Sequence, residues 1–270
     1  MAFATAPSPG APEQIPGEQT PGEQTPGSLK LTSRERPRAA LRALARLLAP
    51  VQPRRALVAA GKHLRPRHLT RLRTALGALE QGSWMRELEV HVPNRADRFA
   101  VFTDVLDRLD SARPLYLEFG VHEGRTLRWW SEHLATPGAR FLGFDSFAGL
   151  PHDWARDAPA GSFAVEGMPD IDDDRVEIVP GWFSETLPGR ALPPHDQLVV
   201  NLDCDLYTST REVLDWLEEH LRPGTLVYFD DLFDHDAELR AVWEWVESHE
   251  RSVRPVSMAR WGQHLLLEYR

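Results

Sequence analysis

Acidic residues stand at the ends of four short hydrophobic runs in this sequence, where they could bind a polar ligand or a cation. The runs LYLEF, FLGFD, LVVNLD and LVYFDD contain Glu118, Asp145, Asp203 and the pair Asp230 and Asp231. Short apolar runs that alternate with helical stretches predict the parallel strands of an α/β sheet. Ligands bind beyond the carboxyl ends of such strands, so these acids predict one shared cleft.

Three of the acids predict a metal site. Asp203 follows one predicted strand, Asp230 and Asp231 follow the next, and these strands are neighbours if the sheet is doubly wound. Uncompensated carboxylates repel one another at close range and resist ionising. A divalent cation such as Mg²⁺ removes this conflict because it prefers oxygen ligands. The alternative is that one or two of these residues cap the helices that follow.

The turn after the first predicted strand could border a ligand through four residues, Glu118, Gly120, His122 and Gly124. Glycines let the backbone approach a ligand closely, and a helix N-terminus attracts negative groups. Asp145, followed by Ser146, could accept hydrogen bonds from both hydroxyls of a ribose, as acids do in nucleotide-binding α/β folds. The alternative is that Asp145 only caps the next turn.

Composition indicates a globular protein. The 270 residues have room for one sizeable domain with appendages, and 42% of them are hydrophobic and 26% charged, as in soluble proteins. No run of about 18 apolar residues is present, which excludes a membrane-spanning helix. The start, MAFATAPSPG, lacks a secretory pattern, and the single cysteine, Cys204, suits a reducing compartment. A cytoplasmic protein is therefore expected.

Positive charge is concentrated near the N-terminus, although the net charge of the chain is −9. Residues 30–75 contain thirteen Lys and Arg side chains against one acid, Glu35, which leaves −21 on the remainder. Such a segment can contact nucleic acid or anionic lipid, or it can be a solvated or inter-subunit helical face. The second interpretation is favoured, and no nucleic-acid partner is expected beside an acidic main domain.

These patterns divide the chain into three regions. Residues 1–28 hold the repeat PGEQTPGEQTPGS, which lacks an apolar face and is predicted to be disordered. Residues 29–92 are predicted to form a basic helical extension, a lid or an oligomer contact, with helical periodicity at 38–49 and 69–79. Residues 93–270 are predicted to form the α/β domain.

Within the α/β domain, an amphipathic helix is predicted at 95–111, ahead of strands near 115–119, 141–145, 175–179, 198–203 and 225–229. Further helices are predicted at 124–134, 208–221 and 236–249. Closely spaced strands at 253–259 and 264–269 predict an antiparallel hairpin that closes an otherwise parallel sheet. The long loop 148–174 is either a lid over the cleft or an excursion without such a role.

The sequence resembles the macrocin-type O-methyltransferase family in five strings that occur in the same order: EFGVHEGRT, FLGFDSFAGLP, VEIVPGWFSETLP, VVNLDCDLYTST and GTLVYFDD. The match covers about residues 95–235. Members of that family are class I enzymes that use S-adenosylmethionine, and several act on sugars of macrolide antibiotics. The resemblance implies a Rossmann-like seven-stranded methyltransferase sheet with an antiparallel last strand. It also implies a homo-oligomer, with the helical extension as the contact.

The resemblance implies roles for individual residues around the cofactor. Glu118 and Gly120 would border the methionine part of S-adenosylmethionine, and Asp145 would bind its ribose. His122 stands where the common E-x-G-x-G-x-G pattern has its middle glycine. The residues implied to lie near the adenine are Gly181, Trp182 and Phe183.

The metal implied by the resemblance is Mg²⁺ or another divalent cation, held as in catechol O-methyltransferases by Asp203, Asp230 and Asp231. Those enzymes place a lysine base three residues after the first of these aspartates, where this chain has Leu206. The identity of the general base therefore stays open. Candidates near the metal motifs or in the cleft loop are Asp205, His235 and His152.

The predicted function is metal-assisted transfer of a methyl group to a hydroxyl of a small molecule, such as a sugar or polyol of a secondary metabolite. One alternative is a Rossmann-like nucleotide-binding enzyme with other chemistry, such as a dehydrogenase. Gly120 and Gly124 lack the G-x-G-x-x-G spacing of that class. A second alternative is a non-catalytic binding module whose basic 30–75 segment docks on an anionic partner.

Overall fold

A mixed eight-stranded sheet with helices on both faces forms the body of the protein in a computed structural model. The described residues are 53–87, 92–154, 158–232, 237–248 and 253–270. The predicted disordered segment 1–28, the predicted helix at 38–49 and the candidate base His235 lie outside them.

The strands, numbered in chain order, are β1 (Asn94–Arg95), β2 (Pro114–Phe119), β3 (Arg140–Asp145), β4 (Val176–Pro180), β5 (Gln197–Leu202), β6 (Leu226–Phe229), β7 (Val253–Ala259) and β8 (His264–Tyr269). The helices are α1 (Pro53–Gly61), α2 (Pro66–Glu87), α3 (Arg98–Leu106), α4 (Arg125–His133), α5 (Phe183–Thr186), α6 (Tyr207–Leu217) and α7 (Glu238–Ser248). A 3-10 helix, Arg260–Gly262, joins β7 to β8. Each strand predicted for the α/β domain is present, with ends that differ by a residue or two.

The order of the strands in the sheet is β1-β7-β8-β6-β5-β2-β3-β4. Strand β8 runs antiparallel to its neighbours β6 and β7, and the other pairs are parallel. The predicted Rossmann-like sheet with an antiparallel last strand is confirmed. The one addition is the two-residue strand β1, which pairs with Met258 and Ala259 of β7 at the edge of the sheet.

The central strands are buried on both faces, which explains why they are almost continuously apolar in sequence. All six residues of β2 are buried, and its side chains enter two cores in alternation. Leu117 and Phe119 pack on the face covered by α6 and α7, whereas Tyr116 packs on the face covered by α3 and α4. This packing aligns the carboxyl ends of β2, β3, β5 and β6 at one edge.

Helix α3 begins later than the helix predicted at 95–111 because the residues before Arg98 form a strand and a helix cap. Arg95 belongs to β1, and Asp97 caps the helix by accepting a hydrogen bond from the backbone N–H of Ala100 at 3.0 Å. The cap fixes the first turn of the helix, and this brings Arg98 to the carboxyl edge of the sheet.

In the part that the structure describes, the extension contains helices α1 and α2. The periodicity at 69–79 is confirmed as part of α2, whereas α1 was not predicted because it is too short to show a helical period. The C-terminal half of α2 docks on the domain, since buried Gln81 donates its side-chain amide to the carbonyl of Gly262. Large apolar side chains are exposed along the extension, at Leu57, Val58, Leu64, Leu69, Leu72, Leu76 and Leu79. Among the described residues, no helix is long and apolar enough to cross a membrane.

Candidate active site

A cleft of about 600 Å³ opens at the carboxyl ends of β2, β3, β5 and β6. Strand β2 leads to β3 on one side while β5 lies on its other side, and ligands bind at such a switch point in α/β proteins. Most site residues predicted from the sequence line the cleft, namely Gly120, His122, Asp145, Ser146, His152, Gly181, Trp182, Phe183, Asp203, Asp205, Asp230 and Asp231.

Gly120 allows β2 and β5 to end side by side. A Cβ at this position would lie 2.0 Å from the backbone oxygen of Asp203, and the backbone adopts φ of +96°. Only glycine combines such a close approach with this left-handed conformation at little cost. Gly120 therefore keeps the floor of the cleft open between the two strands.

Glu118 and Gly124 are not among the residues that line the cleft. Glu118 is buried in the sheet, where the hydroxyl of Tyr116 donates to its Oε2 at 2.7 Å. Burial raises the pKa of Glu118 to about 8, although hydrogen bonds from Tyr116 and Asn201 oppose the rise. Gly124 accommodates the loop after β3, because a Cβ there would lie 2.7 Å from the Cβ of Pro169. Contact of Glu118 or Gly124 with a cofactor stays a prediction.

Asp145 presents a fixed carboxylate at the end of β3. Its Oδ2 accepts a hydrogen bond from the backbone N–H of His122 and its Oδ1 from that of Phe147, both at 2.7 Å. An ionised carboxylate has further lone pairs on both oxygens. Asp145 can therefore accept the two hydroxyls of a ribose while the backbone sets its orientation.

An aromatic wall, Trp182 and Phe183, lies beyond the end of β4. Gly181 donates its backbone N–H to the carbonyl of Asp145 at 2.9 Å, which ties this wall to the end of β3. The ring of Phe183 packs edge-on against Phe119, with 5.7 Å between the ring centroids. The wall can cover the flat face of a purine whose ribose is bound by Asp145.

Three carboxylates, which we call the acidic trio, converge beyond the ends of β5 and β6. One oxygen from each of Asp203, Asp205 and Asp231 lies within 4.8 Å of the other two. Burial raises the pKa of all three, and repulsion from neighbouring carboxylates adds to the rise, which brings the pKa of Asp205 to about 7. Such a set of oxygen donors suits a hard divalent cation.

Asp230 is held differently from the acidic trio. Arg98 Nη2 lies 2.7 Å from its Oδ2, while the Tyr228 hydroxyl donates to its Oδ1 at 2.6 Å and His264 Nδ1 lies 3.1 Å from the same oxygen. Burial acts to raise the pKa of Asp230, but the contacts with His264 and Arg98 outweigh it and hold the pKa below its ordinary value. Arg98 Nη1 also lies 3.4 Å from Oδ2 of Asp203. Asp230, which the sequence predicts as a metal ligand, is not a member of the acidic trio, and its contact with a metal stays a prediction.

Two of the three candidate bases line the cleft. Asp205 belongs to the acidic trio, where its backbone adopts φ of +59°. His152 is exposed on the loop after β3, and its Nε2 lies 3.1 Å from Oγ1 of Thr208 at the start of α6. This contact joins the loop to the start of α6. The third candidate, His235, is outside the described residues.

Sequence reasoning missed several residues of the cleft, among them Arg98, Trp154, Phe163, Thr208, Ser209 and Glu212. Thr208 and Ser209 could have been found, because they belong to the same string as Asp203, VVNLDCDLYTST. Arg98 gave no signal beyond a basic side chain at the start of a helix. The loop aromatics could not be placed because periodicity does not determine the path of an irregular loop.

Known proteins match this chain over parts of its length. A model of the macrocin-O-methyltransferase (TylF) family matches residues 117–258. Over 59 residues, 22% of each chain, the sequence is 48% identical to the 8-demethyl-8-(2,3-dimethoxy-alpha-L-rhamnosyl)-tetracenomycin-C 4'-O-methyltransferase of Streptomyces olivaceus. Over 91 residues, 33% of this chain and 34% of the relative, it is 35% identical to the mycinamicin III 3''-O-methyltransferase of Micromonospora griseorubida.

The matches span 22% and 34% of the lengths of these two relatives, well under two thirds of either. Among solved structures, a calicheamicin methyltransferase is 22% identical with a TM-score of 0.48, covering 93% of this chain and 99% of that chain. The family model covers more than half of the 270 residues. The chain therefore belongs to the macrocin O-methyltransferase family.

Proposed function

We propose that this protein transfers a methyl group from S-adenosylmethionine to a hydroxyl oxygen of a sugar on a secondary metabolite. Family membership supports the reaction type. The names of both relatives specify O-methylation, and one of them specifies a rhamnosyl group. The observation that carries the proposal is the presence of Asp145, oriented by two backbone N–H groups, in one cleft with the acidic trio.

S-adenosylmethionine, when bound, supplies an electrophilic methyl group on a positively charged sulfur. In our proposal Asp145 binds the ribose hydroxyls, and Trp182 and Phe183 cover the adenine. Gly120 leaves room for the methionine part beside the end of β5. The carboxylates of the cleft favour a positively charged sulfonium over a neutral ligand of the same shape.

We also propose a divalent metal, Mg²⁺ in the first instance, in the acidic trio. The fit rests on donor chemistry, because three oxygen donors with raised pKa values lose their mutual repulsion when a cation binds. Asp203 and Asp231 belong to both the predicted and the converging set. The sets differ in whether Asp205 or Asp230 supplies the third carboxylate, and the contact of Asp230 with Arg98 favours Asp205. A metal ion there would lower the pKa of an acceptor hydroxyl.

The proton of that hydroxyl needs an acceptor among the residues of the cleft. Asp205 has a pKa near neutrality, and His152 is an exposed imidazole on the loop that contacts α6. If Asp205 holds the metal, His152 is the better base among the described residues. We therefore propose His152 as the acceptor and Asp205 as a metal ligand.

For the rest of the chain we propose that residues 29–92 are an oligomer contact of the 93–270 domain. The support is the exposed leucine row of α2, Leu69, Leu72, Leu76 and Leu79, whose spacing of three and four residues is typical of helix–helix seams. A second copy of the chain would cover this row. Buried, free Cys204 supports a location in the reducing cytoplasm.

The proposed reaction is tested by incubating the protein with S-adenosylmethionine that carries a deuterated methyl group and with a set of glycosides. Mass spectrometry would detect a labelled methyl ether, and liquid chromatography the demethylated cofactor. We expect product with Mg²⁺ and much less with a chelator. An Asp145→Ala variant should lose product through lost cofactor binding. Product that forms equally in this variant would contradict the assignment of the cofactor site.

A further inference from the structure

Phe163 is an exposed aromatic residue at the mouth of the cleft. It lines the cleft, keeps 51% of its surface exposed and adopts φ of +65°. An exposed large apolar ring gains little from burial, and a bulky residue in the left-handed region is strained. The strained backbone works against stability, and strain of this kind clusters at active sites and ligand clamps.

Phe163 and Trp154 form what we call the aromatic shelf. Their ring centroids are 6.5 Å apart, and the Phe163 ring is also edge-on to His122 at 6.3 Å. Backbone hydrogen bonds pair the two limbs of the loop, from Leu150 N–H to the Ser162 carbonyl at 2.9 Å and from Gly161 N–H to the Leu150 carbonyl at 2.8 Å. This pairing holds both rings on the same side of the cleft.

A polar wall also lines the cleft. It consists of Thr208, Ser209 and Glu212 at the start of α6, and the contact of His152 with Thr208 connects it to the loop of the shelf. A sugar ring has an apolar face of C–H groups and a rim of hydroxyls. An apolar shelf in the same cleft as hydroxyl and carboxylate groups complements such a ring, because apolar surface supplies affinity and a few polar groups fix orientation.

We propose that the aromatic shelf binds the apolar face of a hexopyranose acceptor and that Phe163 determines acceptor affinity. This inference rests on the proposed function and specifies the acceptor side of the same cleft. The cofactor has an aromatic wall of its own, Trp182 and Phe183, which is tied to Asp145. The shelf consists of other residues of the same cleft and adjoins His122.

Initial rates with methyl α-L-rhamnopyranoside, at saturating S-adenosylmethionine and Mg²⁺, test the shelf. Phe163→Ala should raise KM for the rhamnoside about threefold to tenfold, the size of one aromatic contact. The Kd for S-adenosylhomocysteine should stay at the wild-type value, and Phe163→Tyr should restore KM. Met168→Ala is the matched control, because Met168 is 57% exposed on the same loop but does not line the cleft.

The outcomes separate the shelf from the methyltransferase proposal. An unchanged KM in Phe163→Ala, or an equal change in Met168→Ala, would overturn the shelf. So would a loss of S-adenosylhomocysteine affinity that accounts for the change in rate. Wild-type protein that binds S-adenosylhomocysteine but methylates no simple hexopyranoside also overturns the shelf and leaves methyl transfer standing. Wild-type protein that fails to bind S-adenosylhomocysteine contradicts methyl transfer itself.

Discussion

Arg98 and Asp230 form an ion pair that joins the start of α3 to the end of β6, with 2.7 Å between Nη2 and Oδ2. The Asp230 side chain is 3% exposed and that of Arg98 33%. A buried charge that loses its partner is strongly destabilising because neither water nor another charge compensates it. The pair therefore fixes α3 at the cleft, and in our proposal it holds Asp230 apart from the metal ligands.

Substitution of Arg98 tests this relationship through stability. Arg98→Met should lower the free energy of unfolding by about 2 kcal/mol, less than for a fully buried pair because Arg98 is partly solvated. Urea unfolding measures the change. Arg113→Met is the control, since Arg113 pairs with Asp196 at the surface with both side chains well exposed, and it should lower the free energy of unfolding much less than Arg98→Met. Equal losses in the two variants would show that the buried pair has no special role.

The metal proposal is tested by comparing Asp205→Asn with Asp230→Asn in calorimetric titrations with Mg²⁺. We expect Asp205→Asn to weaken Mg²⁺ binding about tenfold or more, because it removes a charged oxygen donor. Asp230→Asn should lower stability and change Mg²⁺ affinity less. The reverse order would return Asp230 to the ligand set predicted from the sequence. Wild-type protein without any Mg²⁺ binding would remove the metal from the account.

Gly120→Ala tests whether the close approach of β2 and β5 is required. A Cβ there meets a backbone oxygen, so we expect several kcal/mol of destabilisation and the loss of S-adenosylhomocysteine binding. Gly189→Ala is the matched control, because Gly189 also has positive φ, +69°, but no atom within 4 Å of an added Cβ. Gly189→Ala should lose only the preference of glycine for positive φ, which lowers the free energy of unfolding by about 1 kcal/mol. Similar losses at the two positions would argue against a close contact at Gly120.

Glu118 gives stability a pH dependence whose sign follows from its raised pKa. The folded pKa of about 8 lies above the ordinary 4.5, so the folded state binds more protons between these values. Stability is therefore lost as pH rises from about 5 to 8 and levels off above that. Glu118→Gln should remove this loss, and the difference between variant and wild type in urea unfolding at pH 5 and pH 8 isolates it. A difference that does not change with pH would show that Glu118 is ionised throughout.

The exposed leucine row of α2 predicts self-association. Leu72→Glu with Leu76→Glu should shift the protein to a smaller species in light scattering after size-exclusion chromatography, because charges in an apolar seam are costly to bury. Met168→Glu, at an exposed position on the domain, should leave the molar mass unchanged. A wild-type monomer at micromolar concentration would rule out the oligomer contact.

Much of the fold could be predicted because the signals are local. The apolar run of β2 and the acid at the end of β3 can each be recognised from a few neighbouring residues. The parallel arrangement of the strands follows from their alternation with helices. The choice between Asp205 and Asp230 could not be predicted in this way. In our proposal this choice depends on Arg98, which is 132 residues from Asp230 in the chain. Glu118 also stands near the end of an apolar run, as the other acids do. Its side chain nevertheless enters the core beside Tyr116.

The central claim, a site for S-adenosylmethionine organised around Asp145, is tested most directly by calorimetric titration with S-adenosylhomocysteine. We predict that the wild type binds S-adenosylhomocysteine saturably. Asp145→Asn should lower this affinity by about tenfold or more, since an amide replaces a charged acceptor of the ribose hydroxyls. Circular dichroism would establish that both proteins are folded. Folded wild-type protein that shows no binding, or a variant that binds as tightly as the wild type, would contradict the account.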